Sequence, residues 1–227
     1  MSFWTDTWLP FIFSSHNAIK PPRPVKLLNP YERQSVQDVC NIYYQKYFGD
    51  EGKRTVLLGI NPGRLGAGIT GISFTDAEKL ERYCDIPNSF DKKEELSSKF
   101  IYNWITQEGN VETFYRDFII LSVCPLGFVR DGKNINYYDQ PDLIKRSEKL
   151  IIQQQDLLVN HHKIQKTVYM LGKGKNFKYF KSLNEKHKWY NEVKPLPHPR
   201  WVMQYKYHSR HEIMRDMMAE LFNKSDS

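Results

Sequence analysis

Apolar residues recur along this chain with two different periods, and the alternation between them predicts its architecture. Val36, Val39, Cys40, Ile42, Tyr43, Tyr47 and Phe48 return at helical spacing until Gly49 stops them, and Asn29-Pro30 ahead of them reads as a helix start. Thr55 to Ile60 is instead a short apolar run, the pattern of a buried strand. Three further strand candidates follow at Phe118 to Val123, Thr167 to Leu171 and Glu192 to Leu196. Helical patterns separate them. The longest is Asp142 to His161, with Leu143, Ile144, Leu150, Ile151, Leu157 and Leu158 as its apolar positions, and Ile213, Met214, Met217, Met218 and Leu221 predict a last helix. Strand alternating with helix predicts an α/β fold, a three-layer α/β/α sandwich around a central four-stranded, mainly parallel sheet. At 227 residues without internal repeats, one domain spanning 1–227 is expected. Residues 1–28 would be an extension packed on it, with an aromatic segment at Trp4 to Phe13 and an extended linker at Lys20-Pro21-Pro22-Arg23-Pro24.

In such a sheet ligands bind beyond the carboxyl ends of the strands. The first strand candidate ends in the run Gly59-Ile60-Asn61-Pro62-Gly63-Arg64-Leu65-Gly66-Ala67-Gly68-Ile69-Thr70-Gly71-Ile72-Ser73-Phe74. A carboxamide, bare backbone and a flat ring together describe a pocket for a planar polar molecule. Gly63 to Gly68 has the glycine interval of a P-loop, yet Ile69 and Thr70 follow where Lys and Ser/Thr are needed, which argues against a nucleotide triphosphatase. The G-x-G-x-x-G fingerprint of dinucleotide binding also fails.

Charge changes the picture further. The chain carries a net charge of +7 and is 14% aromatic, a combination that suits a nucleic-acid partner, although a basic surface can equally serve solubility alone. Cys40, Cys84 and Cys124 are too scattered for a disulfide framework or a C-x-x-C site, and the adjacent His161 and His162 point apart on a helix, so no metal is expected. The start of the chain lacks the basic stretch and cleavage site of a signal peptide, and no long apolar run occurs, so a cytoplasmic protein without a membrane anchor is expected.

Position by position, Gly59, Asn61, Pro62, Gly63, Gly66, Thr70, Gly71 and Phe74 fill the pattern G-[MI]-N-P-G-x-x-G-x-x-x-T-G-x-x-F. The segment resembles the first active-site motif of the uracil-DNA glycosylase superfamily, in its single-strand-selective monofunctional branch. Leu196-Pro197-His198-Pro199-Arg200 resembles the distal H-P-x-P-R motif of that family, and Ser122-Val123-Cys124-Pro125-Leu126 its central N-x-C-P-L. The resemblance implies a monofunctional glycosylase that flips a damaged or deaminated base out of DNA and hydrolyses its N-glycosidic bond, with DNA as partner, no metal, no organic cofactor and a monomeric state. Branches with an iron–sulfur cluster need four cysteine ligands, and this chain has three.

Such chemistry needs a held water, a stabilised leaving anion and a pocket for an extruded base. Asn61 is the candidate for the water, standing where other branches carry an aspartate; an Asx turn ahead of Pro62 is its plain structural alternative. Asp76 could hold the water instead, or simply cap a helix. His198 is assigned to the leaving base, and Phe74 to stacking on it. Gly63 and Gly66 would let backbone approach the ligand. Ser122 stands where relatives carry a base-reading asparagine, which predicts acceptance of altered bases such as 5-hydroxymethyluracil or deaminated purines. Arg200, Trp201, Met203 and Lys206 would form a DNA wedge, unless Trp201 and Met203 open the last helix. Lys173 and Lys175 would bind phosphate, or equally form a solvated face. A non-catalytic nucleic-acid or nucleotide binding protein using the same loop is the competing reading.

Overall fold

The computed structural model describes residues 2–15, 18–107, 109–161 and 164–222; the expectation at His162 falls outside them. A π-helical turn, Trp4–Trp8, runs into α1 (Leu9–Ser14), followed by β1 (Lys26–Leu28) and, after a 3-10 turn at Pro30–Glu32, by α2 (Gln34–Phe48). Asn29 does open this region, its side chain accepting the Tyr31 N–H at 3.1 Å. Then come β2 (Arg54–Gly59), the short α3 (Ala67–Thr70) and α4 (Ala77–Arg82), α5 (Leu96–Gln107), α6 (Val111–Asp117) and β3 (Phe118–Ser122). The remainder is β4 (Gly127–Arg130), β5 (Lys133–Ile135), α7 (Pro141–Asn160), β6 (Ile164–Leu171), α8 (Lys175–His187), β7 (Glu192–Leu196), α9 (Pro199–Tyr205) and α10 (Arg210–Phe222).

Four strands form the main sheet in the order β3-β2-β6-β7, every neighbour parallel. These are the four strand candidates of the sequence. Every residue of β2 is buried, as expected of a central strand covered by helices on both faces. A cluster of buried apolar side chains extends from Phe3 to Leu221 and takes in Trp4, Trp8, Leu9 and Ile12 of the N-terminal segment. From β2 the chain turns to one side for β3 and later to the other for β6 and β7. The resulting reversal at β2 opens a crevice at its carboxyl end, where such sheets hold ligands.

Periodicity did not reveal the second sheet, β1-β4-β5, which is antiparallel. Its signal was present in the turn. Asp131 and Gly132 join β4 to β5 with φ of 51° and 71°, the left-handed pair that a two-residue hairpin requires. The hairpin brings the segment after β5 to the carboxyl end of β2. No described helix is long and apolar enough to cross a membrane.

Candidate active site

A cleft of about 840 Å³ lies over the carboxyl ends of β2, β6 and β7. Asn61 follows β2, Lys173 and Lys175 follow β6, and His198 follows β7; all four line the cleft, as do Gly63, Phe74, Arg200 and Trp201.

Asn61 is clamped by the hairpin sheet. Its Oδ1 accepts the Tyr137 N–H at 3.1 Å, and its Nδ2 donates to the Ile135 carbonyl at 3.4 Å, with a second contact to the Pro62 carbonyl at the same distance. Partners this distant in sequence do not make an Asx turn. They fix the orientation of the carboxamide and leave a second lone pair on Oδ1.

Phe74 has a left-handed backbone, with φ 54°, and its ring lies across the end of β2. A Cβ on Gly59 would stand 2.5 Å from Phe74 Cε2 and 2.8 Å from Cζ, so glycine at that position is what lets the ring reach the cleft. The Phe74 and His198 ring centroids are 6.4 Å apart.

His198 caps α9. Its Nδ1 accepts the Arg200 N–H at 3.1 Å, which assigns the proton of the neutral ring to Nε2. Burial, with the Arg200 charge in addition, pushes the imidazole pKa down to about 4. At neutral pH the ring is therefore an uncharged hydrogen-bond donor.

Asp76 is fully buried and does cap a helix: Oδ1 accepts the Lys79 N–H at 3.0 Å at the start of α4, while Oδ2 accepts the Glu95 N–H at 3.1 Å. It does not line the cleft.

Three sequence expectations are corrected here. Ser122 does not face the cleft; it lies beyond β2 on the opposite side from β6, lines a separate cavity of about 20 Å³, and its Oγ sits 3.2 Å from Ser73 Oγ. Strand order explains this, because the crevice opens on the β6 side of β2 and β3 pairs with the other edge. Gly66 is covered too: a Cβ there would collide with the Glu95 carboxyl, so the bare backbone makes room for that side chain rather than for a ligand. Met203, only 8% exposed, packs into the core from α9, the face opposite Trp201. The expected wedge loop is thus a short helix of its own, separate from the last one, presenting Trp201 (45% exposed) and Tyr205 (71%) to solvent, with Lys206 Nζ 5.9 Å from the Trp201 ring centroid.

Several lining residues escaped sequence reasoning. Asn134 and Asn136 arrive with the hairpin, which its Asp-Gly turn could have revealed. Asn176 donates to the Gly59 carbonyl at 3.2 Å and accepts from Tyr137 OH at 2.6 Å, and so ties α8 to the end of β2. Glu95 stands in the run Asp91-Lys92-Lys93-Glu94-Glu95, which by composition is a solvated stretch, and nothing in the sequence separates it from its neighbours.

A rigid carboxamide, a neutral imidazole donor and an aromatic platform around one cleft suit cleavage of a bond to a planar heterocycle. Comparison with known proteins agrees. Residues 46–222 match the family model of the uracil DNA glycosylase superfamily. The crystal structure of wild-type Pedobacter heparinus SMUG2 superposes with a TM-score of 0.90 at 35% identity, over 97% of each chain. No curated relative matches. The chain therefore belongs to the uracil-DNA glycosylase superfamily, in the branch of single-strand-selective enzymes, and is a DNA glycosylase that hydrolyses N-glycosidic bonds.

Proposed function

We propose that this enzyme removes uracil and related altered pyrimidines, such as 5-hydroxymethyluracil, from DNA after extruding the nucleotide from its stack, as the first step of base excision repair. Cleavage of the C1′–N bond leaves positive charge on the sugar and negative charge on the base. Asn61 Oδ1, already fixed by Tyr137, orients the water that adds to C1′. His198 donates Nε2–H to the base oxygen on which the charge develops, and Phe74 stacks on the base plane. Lys173, Lys175 and Arg200 take phosphates, and Trp201 fills the space that the base vacates. The observation that carries this reading is the convergence of Asn61, Phe74 and His198 on one cleft, with the histidine held as a neutral donor. Breadth of base choice no longer draws support from Ser122; the supporting feature is a cleft of about 840 Å³, larger than a single pyrimidine.

Release of each base from single- and double-stranded oligonucleotides tests this. Asn61→Ala and His198→Ala should each slow single-turnover uracil release by on the order of 10²- to 10³-fold while DNA affinity stays within a few-fold of the parent. Unchanged release in either variant would refute its role. Release of uracil alone would refute the broader substrate choice.

A further inference from the structure

Water adding to C1′ must lose a proton, and neither residue assigned to the reaction can take it. A carboxamide is not basic, and His198 has its free nitrogen occupied by the Arg200 N–H and its proton on the other. Among the described residues one carboxylate lines the cleft, Glu95. Asp76 anchors its backbone by accepting the Glu95 N–H at 3.1 Å, just ahead of α5, and the side chain reaches back over the glycine loop that follows Asn61. Its Oε1 lies 3.2 Å from the point that a Cβ on Gly63 would occupy, the same distance as Asn134 Nδ2, and Oε2 lies against Gly66. Glu95, Asn134 and the loop thus close on a single spot at Gly63, two residues past Asn61, and all of them line the cleft that Asn61 lines. Among the described residues no hydrogen bond or ion pair engages the Glu95 carboxylate. A partly buried, unpaired carboxylate costs stability, and a Cβ at position 66 would force this one to move.

We propose that Glu95 is a further catalytic residue, the base that accepts the proton of the attacking water while Asn61 orients that water. The proposal rests on the glycosylase mechanism given above. The water oxygen forms its bond to C1′ as the C1′–N bond breaks; the bonding pair leaves with the base, whose oxygen is held by His198 Nε2–H, and the water proton passes to a Glu95 oxygen. The released base later regains a proton from solvent, and Glu95 returns its own to solvent.

Geometry and ionisation agree. Burial first, and the Asp76 charge second, push the Glu95 pKa up to about 7, opposed by the Arg200 charge. The groups around it are Asp76 with Lys79 behind it from α4, His198 and Arg200 from the start of α9, and Lys173 and Lys175 lining the same cleft; Glu94 and Lys99 on its own side pair with each other at 3.2 Å. A base must be deprotonated, so the rate should rise with pH through about 7 and level off above. His198, with its pKa near 4, cannot supply that limb.

The test is single-turnover uracil release between pH 5 and 9 by the parent, Glu95→Gln, Glu95→Asp and His198→Ala, with DNA affinity measured for each. The parent and His198→Ala should both show the limb, the latter at a lower rate. Glu95→Gln should lose about 10²-fold at pH 8 and lose the limb, at unchanged affinity, and Glu95→Asp should recover part of both. A Glu95→Gln enzyme within twofold of the parent, or one that keeps the limb, overturns the proposal and leaves the glycosylase mechanism standing. A folded parent that releases no base overturns both.

Discussion

At the scale of single residues, the cleft depends on what is missing as much as on what is present. Phe74 reaches the end of β2 only because Gly59 has no side chain. Adding one methyl group, Gly59→Ala, should therefore displace the ring while leaving the strand paired, since alanine suits an extended backbone. Stacking of a base on an aromatic ring contributes roughly 1 to 3 kcal/mol. The variant should release uracil about tenfold or more slowly, with little loss of thermal stability; unaltered kinetics would show that the ring does not bear on the base. Residue identity at Asn61, Phe74 and His198 was legible in the sequence because motif spacing names them. Their orientation was not, since it comes from Tyr137, Gly59 and Arg200, and only the last is a near neighbour of the residue it orients.

At the scale of elements, two caps do double duty. His198 starts α9 and serves the cleft with its other nitrogen. Asp76 starts α4 and fixes the backbone of Glu95 across a gap of nineteen residues. Asp76→Ala removes both acceptors from buried N–H groups, a loss of about 2 kcal/mol, so the melting temperature should fall by roughly 4 to 8 °C. Loss of its negative charge also lets Glu95 ionise more readily, and the acid limb of the rate should move to lower pH. A variant that melts with the parent and keeps the same limb would refute this coupling. The four strands of the main sheet and the long helix α7 were readable from periodicity because each buries a full face of its own. The β4–β5 hairpin was not, because strands of four and three residues carry too few apolar positions to show a period, although its Asp131-Gly132 turn was visible.

At the scale of the whole molecule, the basic balance acquires a location. Lys173, Lys175 and Arg200 stand around the cleft, where the proposed mechanism would bring a strand of DNA so that a base reaches Phe74. Replacing Lys173 and Lys175 together by alanine should weaken DNA binding and reduce the slope of log affinity against log salt by about 1.4 to 1.8, the release of two counterions, at both matched and altered bases alike. An unchanged slope would move the phosphate path elsewhere. Three motifs at the carboxyl edge of the sheet suggested a single site, and two of them do share it. The third, at Ser122, is turned away because β3 lies on the far side of β2 from the crevice. The sequence by itself determined the fold class, the order of strands and helices along the chain, the family, and side chains at the cleft such as Asn61, Phe74 and His198, since each of these is written in local period or in short motif spacing. Only the tertiary structure decided which side of β2 the cleft opens on, that Met203 belongs to the core, and that Glu95 folds over the glycine loop. Those depend on strand order and on contacts between segments far apart in the chain, which local pattern does not encode.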